Sequence, residues 1–136
     1  MLGKEVKEME YKKYDVIYGE FRESNNECLQ SGSRPAIVLS NNLGNKYSPT
    51  LLVLPLSSHI KKLNMPTHKL IKPDSHNGLK VNSMVLAEQV TTINKNMVVK
   101  IGRIDDRALQ KEIFKCFIYS AAFGDQDEDL QELQFS

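Results

Sequence analysis

Two short apolar runs, "RPAIVLSNN" (34–42) and "TLLVLPLSS" (50–58), flank the turn-forming stretch "LGNKYSP", and they constrain this chain more than any other feature. Both are too short to be amphipathic helices and too continuous for half-exposed strands, so they read as buried strands paired antiparallel through residues 43–49. Pro55 cannot donate to a ladder, which predicts that the second strand is bulged or lies at an edge near its end. The first run opens on a permanent cation, Arg34, set directly before a proline. A charge at the mouth of a buried strand calls for an explanation.

The surrounding pattern extends the sheet. "YDVIYGEF" (14–21) alternates and is rich in aromatic and β-branched residues, the signature of a half-buried strand. A polar loop over 22–33 follows, long enough to count as functional or mobile. "PTHKLIKP" (66–73) alternates again, and "SMVLAEQVTTI" (83–93) reads as one more long strand that completes the sheet. The period changes only in "DDRALQKEIFKCFIYSAAF" (105–123), where Leu109, Ile113, Cys116, Phe117 and Ala121 recur at helical spacing. Asp105 or Asp106 can cap that helix and Gly124 can stop it. The predicted class is α+β: a small barrel-like antiparallel sheet with one packed C-terminal helix.

A chain of 136 residues is long enough to bury a core without disulfide or metal staples, so one domain is expected, over 13–124. Residues 1–12 mix Lys and Glu and read as a flexible arm. The tail 125–136 holds five acidic residues and no basic one, which predicts a solvated, disordered end.

With a formal net charge of +1, the molecule as a whole carries no electrostatic footprint of a nucleic-acid partner. Locally the balance differs: between 57 and 80, Lys61, Lys62, Lys69, Lys72 and Lys80 stand against Asp74 alone. Such a basic rim suits a nucleic-acid backbone, and equally suits a sheet edge guarded against aggregation. Cys28 and Cys116 lie far apart with no partner at metal-ligand spacing, so neither a disulfide framework nor a metal site is expected, and a reducing cytoplasm fits. Neither a membrane-spanning stretch nor a signal peptide is evident.

Phosphate loops, dinucleotide fingerprints and zinc-protease motifs are absent, and no cofactor is expected. His59, His68 and His76 are scattered over loops and a strand, which favours surface or packing roles. What remains is the meeting of Arg34 with Ser57 and Ser58, brought together if the two central strands pair. Arg34 either pairs with a carboxylate such as Glu27 while the serines merely end a strand, or forms a phosphate site with them, since a guanidinium is a planar donor fork that keeps its charge.

In order and spacing, "YDVIYGEF", "SRPAIVLSNN", "NKYSPTLLVLPLSS", "MPTHKL" and "SMVLAEQVTTINKNMVVKIGRI" with a following helix resemble the MazF/PemK family of toxin endoribonucleases, over about residues 13–123. The resemblance implies an SH3-like β-barrel with a C-terminal helix, akin to the MazF and CcdB toxins. It also implies a homodimer, an antitoxin partner, and metal-independent cleavage of single-stranded messenger RNA by the substrate's own 2′-OH, leaving 2′,3′-cyclic phosphate and 5′-OH ends. Matched residue by residue, the family's catalytic arginine falls on Arg34 and its catalytic threonine on Ser57. The glutamine associated with substrate binding falls on Gln89, and Ser33, Ser58 and His59 adjoin the catalytic pair as further substrate-binding candidates. Glu88 is expected to face the other side of its strand. The chain departs from the family where paired glycines become "SGS", and where Thr91 and Asn94 replace an arginine and an aspartate, so the base preference is expected to differ. The alternative from another class is a non-catalytic binding module of the same fold that grips a protein target such as gyrase.

Overall fold

A computed structural model describes residues 10–21, 32–122 and 127–135 of the chain. Seven strands form one antiparallel sheet: β1 (Asp15–Phe21), β2 (Gly32–Val38), β3 (Thr50–Ser57), β4 (His68–Ile71), β5 (Ser83–Leu86), β6 (Thr91–Asn94) and β7 (Val98–Arg103). Their order is β4-β5-β3-β2-β1-β7, with β6 also paired to β3. Among the described residues three α-helices accompany them, α1 (Asn42–Tyr47), α2 (Arg107–Tyr119) and α3 (Glu128–Phe135), with short 3-10 turns at Ala87–Gln89 and Lys95–Met97.

The central runs are continuous because both faces of the sheet are covered. Val16, Ile37, Leu54 and Leu56 bury one face against Val85, Ile113 and Cys116, while Ile17, Ala36, Val38 and Val53 bury the other against Tyr11, Ile93 and Val98. Residues 16–17 of β1 and 36–38 of β2 thus alternate between two cores, while Tyr18 and Glu20 of β1 and Gly32 and Ser33 of β2 remain exposed.

The central pair is antiparallel as expected, with Ala36 opposite Pro55 and Ile37 opposite Leu54. Pro55, however, is neither at an edge nor at a bulge. One side of β3 pairs with β2 throughout this region, and the other passes from β6 (residues 50–53) to β5 (residues 56–57). Pro55 lies in the gap between these two partners, where a residue without an N–H interrupts no ladder.

Four other expectations are corrected. Residues 42–47 are a short helix rather than a simple turn: Asn41 Oδ1 accepts from Gly44 N at 2.8 Å, and the buried Asn45 donates to the Ser40 carbonyl at 2.8 Å. The long strand over 83–93 is broken by a 3-10 turn at 87–89, so β5 and β6 serve different stretches of β3. The sheet is extended by β7, which the periodicity did not single out and which pairs with β1. Residues 128–135 form α3 where composition pointed to a disordered end.

The start of the chain also contributes to the core. Tyr11, placed by composition in the flexible arm, is 6% exposed and donates its hydroxyl to the Val98 carbonyl. Beside it the fully buried Asp15 accepts from Lys12 N at 2.8 Å and meets Arg103 Nη1 at 3.1 Å and Lys100 Nζ at 3.3 Å, tying the entry of β1 to β7. Burial, with the Asp15 carboxylate nearby, pushes the Tyr11 phenol up from its ordinary range.

The C-terminal helix packs as its spacing predicts, with Ile113 and Cys116 buried and Leu109 and Phe117 against the same core, and Asp106 caps it by accepting from Ala108 N. Gln110 is also buried, donating to the Ile104 carbonyl at 2.8 Å, whereas Ala121 lies past the helix end and is exposed. The 1–9 part of the arm, the 22–31 part of the polar loop with Glu27 and Cys28, and Gly124 lie outside the described residues. Among the described residues no helix is long and apolar enough to cross a membrane.

Candidate active site

Arg34 sits near the start of β2, half-buried and opposite Gly19 of β1. The positive φ of Gly32 (81°) begins the strand, and Pro35 holds the backbone extended just beyond the arginine. On the other side β2 pairs with β3 as far as Ala36–Pro55, and Arg34 and Ser57 each lie two residues beyond that last pair on their own strands. Alternation places both on the sheet face that holds Ala36 and Val53.

Ser57 is the last residue of β3 and only 6% exposed. Its Oγ accepts from His59 N at 3.1 Å, closing a short turn at the strand end. A hydroxyl that accepts in this way retains its own O–H to donate. Ser58 and His59 lie beyond the strand and are exposed.

A cleft of about 510 Å³ opens beside this strand end. Its walls include Ser33, Arg34 and Ser58 together with Tyr18, Lys80 and Val81. Three of the candidates read from the sequence thus share one cavity, while Ser57, His59 and Gln89 are not among its lining residues. Gln89 is half-buried on the 3-10 turn at 87–89. Tyr18 was not singled out by sequence; it shares the phase of "YDVIYGEF" with the fully buried Val16, yet is itself 43% exposed.

Of the basic rim, Lys61, Lys62, Lys72 and Lys80 are exposed and Lys69 is half-buried. The lone acid among them does not oppose these cations, because Asp74 Oδ1 accepts from the backbone of His76 and Asn77 at 2.8 Å each and so shapes its own turn.

The histidines are not grouped. His68 is buried between the Lys62 carbonyl, 3.0 Å from Nδ1, and the Glu88 carboxylate, 3.0 Å from Nε2. Glu88, on the 3-10 turn rather than a strand, is thus a packing partner of His68. His76 is exposed, 3.7 Å from Asp105. Cys116 lies behind β4, its thiol donating to the His68 carbonyl at 3.7 Å, and burial pushes that thiol up from its usual range. Among the described residues no three His, Cys, Asp or Glu side chains are grouped as metal ligands would be.

Residues 12–114 match the model of the PemK-like, MazF-like toxins of type II toxin-antitoxin systems. Endoribonuclease EndoA of Bacillus subtilis (strain 168) is 37% identical over 83 residues, covering 60% of this chain and 71% of that protein. Endoribonuclease MazF of Staphylococcus saprophyticus is 35% identical over 83 residues, covering 60% and 68%. Among solved structures, MazF from Deinococcus radiodurans superposes with a TM-score of 0.67 at 18% identity, over 82% of this chain and 96% of that one. A mycobacterial endoribonuclease solved with its cognate antitoxin gives 0.62 at 18% identity, over 81% and 93%. At such identity the structural likeness speaks for the fold, while the family match spans most of the sequence. The chain therefore belongs to the PemK-like, MazF-like family of type II toxin-antitoxin toxins.

Proposed function

We propose that this toxin is an endoribonuclease that cuts single-stranded messenger RNA at short sequence motifs without a metal, through attack of a ribose 2′-OH on the adjacent phosphorus. The reading is supported by the antiparallel β2–β3 pair, which ends at Ala36–Pro55 with Arg34 and Ser57 each two residues further along its strand, in a chain 37% identical to an endoribonuclease over 83 residues. In this reading Arg34 neutralises the charge that builds on the phosphorane oxygens, and Ser57, accepting from His59 N, donates its O–H to the same phosphate. The 5′-oxygen leaves as the 2′-oxygen bonds to phosphorus, giving a 2′,3′-cyclic phosphate and a 5′-OH, so no protein nucleophile is required. Ser33, Ser58, His59 and Gln89 serve substrate binding.

The sheet's SH3-like barrel form, a homodimeric state, a cytoplasmic setting and capture by a cognate antitoxin belong to the same proposal. The antitoxin is supported by the solved complex of a structural neighbour with its own antitoxin.

The test is a pair of RNA oligonucleotides, one fully ribose and one with 2′-deoxy sugars, incubated in EDTA. Cleavage of the first alone, with cyclic phosphate ends, is the expected result, and it disappears in Arg34→Ala while the circular dichroism spectrum is retained. Cleavage of neither would favour the protein-gripping module, and cleavage of the deoxy strand would overturn the 2′-OH mechanism.

A further inference from the structure

The loop that leaves Ser57 is held in a conformation that one of its residues does not favour. Residues 58–67 join β3 to β4, and within them Lys62 takes a positive φ of 54°. A residue with a Cβ seldom adopts that left-handed region, so contacts from outside the residue must fix it there. Those contacts converge on one atom: the Lys62 carbonyl accepts from Met65 N at 3.0 Å and lies 3.0 Å from Nδ1 of the buried His68. The other ring nitrogen is 3.0 Å from Glu88 Oε2, and beside it Ala87 N donates to the Thr67 carbonyl at 3.1 Å. His68 is thus fixed by the 87–89 turn and in its turn fixes the loop.

Strand register sets this clamp on the face that carries Ser57. Ser57 is paired with Met84 of β5, while β4 sets Leu70 opposite Met84 and His68 opposite Leu86. Cross-strand partners share a face, as do residues two apart in a strand, so Ser57, Met84, Leu86 and His68 lie on one side of the sheet. Between Ser57 and His68 the loop presents Lys61 and Lys62, both exposed and neither in an ion pair among the described residues.

Satisfying a buried imidazole requires polar partners, but not a partner in the left-handed region. Strain of that kind persists where the surroundings over-determine it, and it gathers at binding sites. Uncompensated cations on the loop that leaves Ser57 suit the phosphates of a single strand. We propose that His68 is a positioning residue for RNA binding, which through the Lys62 carbonyl holds Lys61 and Lys62 toward the phosphates next to the scissile one. The inference rests on the endoribonuclease reading and adds to it what shapes the loop beyond Ser57.

Cleavage of a single-site RNA across a salt series tests it, with the full-length wild type, His68→Asn and His68→Gln. An Asn amide nitrogen stands where Nδ1 does and keeps the Lys62 bond, whereas a Gln amide nitrogen reaches toward the Nε2 position and loses it; both variants give up the ring. On a single strand each phosphate contact adds about 0.7 to the slope of log(1/KM) against log salt, so losing one or two is worth about 5- to 25-fold at about 0.1 M salt and fades toward about 1 M. His68→Gln is expected to show that loss in KM with kcat retained, and His68→Asn to restore the wild-type slope. In a Lys61→Gln/Lys62→Gln background, His68→Gln is expected to add nothing. Glu88→Ala, which frees the ring without removing it, is expected to lose in the same sense and Glu88→Gln to restore it, so the test does not depend on a folded His68→Gln.

A wild-type slope in Glu88→Ala or in folded His68→Gln would overturn the positioning role and leave the endoribonuclease reading standing. So would equal losses in the two His68 variants, or a loss that persists at high salt, since a merely structural role would not follow the lysine charges. Absence of cleavage by the wild type would overturn the endoribonuclease reading and this assignment with it.

Discussion

The His68 Nε2 and Glu88 Oε2 atoms lie 3.0 Å apart, joining a buried imidazole on β4 to the 3-10 turn that also carries Gln89. The other ring nitrogen meets the Lys62 carbonyl at the same distance, so the ring ties two loops flanking the sheet to each other.

This tie makes His68 costly to lose. His68→Ala removes a buried ring and strands the Lys62 carbonyl, with an expected destabilisation of about 2–4 kcal/mol. Glu88 is more exposed, and Glu88→Ala is expected to cost about 1 kcal/mol. Urea denaturation of the two variants checks the order; equal losses would show that the ring is not held as described.

Asp15 is expected to be the most sensitive charged residue in the fold. It is fully buried and satisfied by Lys12 N, Arg103 and Lys100. Asp15→Ala leaves two cations facing a void, at a cost of about 3–5 kcal/mol. Lys100 is about a third exposed, and Lys100→Ala is expected to cost less than about 1 kcal/mol. Thermal melts that rank the two variants the other way would contradict the arrangement.

Two glycines at positive φ separate strain from crowding. Gly32, at φ 81°, meets nothing within 4 Å of where a Cβ would stand among the described residues beyond its chain neighbours, so Gly32→Ala is expected to lose through its left-handed backbone, roughly 1 kcal/mol. Gly78, at φ 71°, would set a Cβ 2.1 Å from the Ile101 carbonyl oxygen, and both residues line the cleft. Gly78→Ala is expected to cost several kcal/mol. Similar denaturation midpoints for the two variants would show that the backbone here yields more than its packing implies.

The Cys116 thiol supplies a test of pH behaviour. Burial raises it, Lys69 lowers it and Glu112 raises it, so the thiolate is disfavoured in the folded state. In a Cys28→Ser background, alkylation of the native protein is expected to be at least about tenfold slower than that of the unfolded chain between pH 7 and 9, since only the thiolate reacts. Mass spectrometry of timed samples reads this directly, and equal rates would mean that the thiol is not enclosed.

Ser57 allows the hydroxyl to be separated from its stiffness. Ser57→Ala is expected to lower cleavage by about 10²- to 10³-fold, as loss of one oxyanion donor does, while Ser57→Thr retains activity. A fully active Ser57→Ala would remove the residue from the chemistry.

The elements most legible in the sequence were those whose pattern is local. The apolar runs at 34–42 and 50–58 marked β2 and β3, and the helical spacing of Leu109, Ile113 and Cys116 marked α2. Elements defined by contacts were hidden. The α1 helix depends on Asn41 and on the buried Asn45 side chain within a stretch whose Gly and Pro resemble a turn; the Asn cap was the available signal. The break at 87–89 forms where Ala87 N donates to the Thr67 carbonyl, a long-range bond that no local pattern announces. Similarly, β7 exists because β1 offers it an edge.

The sequence by itself determined the two central strands and their antiparallel pairing, because apolar period and turn length act between near neighbours. Only the tertiary structure decided which side chains share the cleft. Ser33, Arg34 and Ser58 come from two neighbouring strand ends and Tyr18 from the middle of β1, and Lys80 reaches them from a loop more than twenty residues further on. Their convergence follows from the order of strands across the sheet and from which face each residue takes, and both are settled by burying two cores at once rather than by any one stretch of chain.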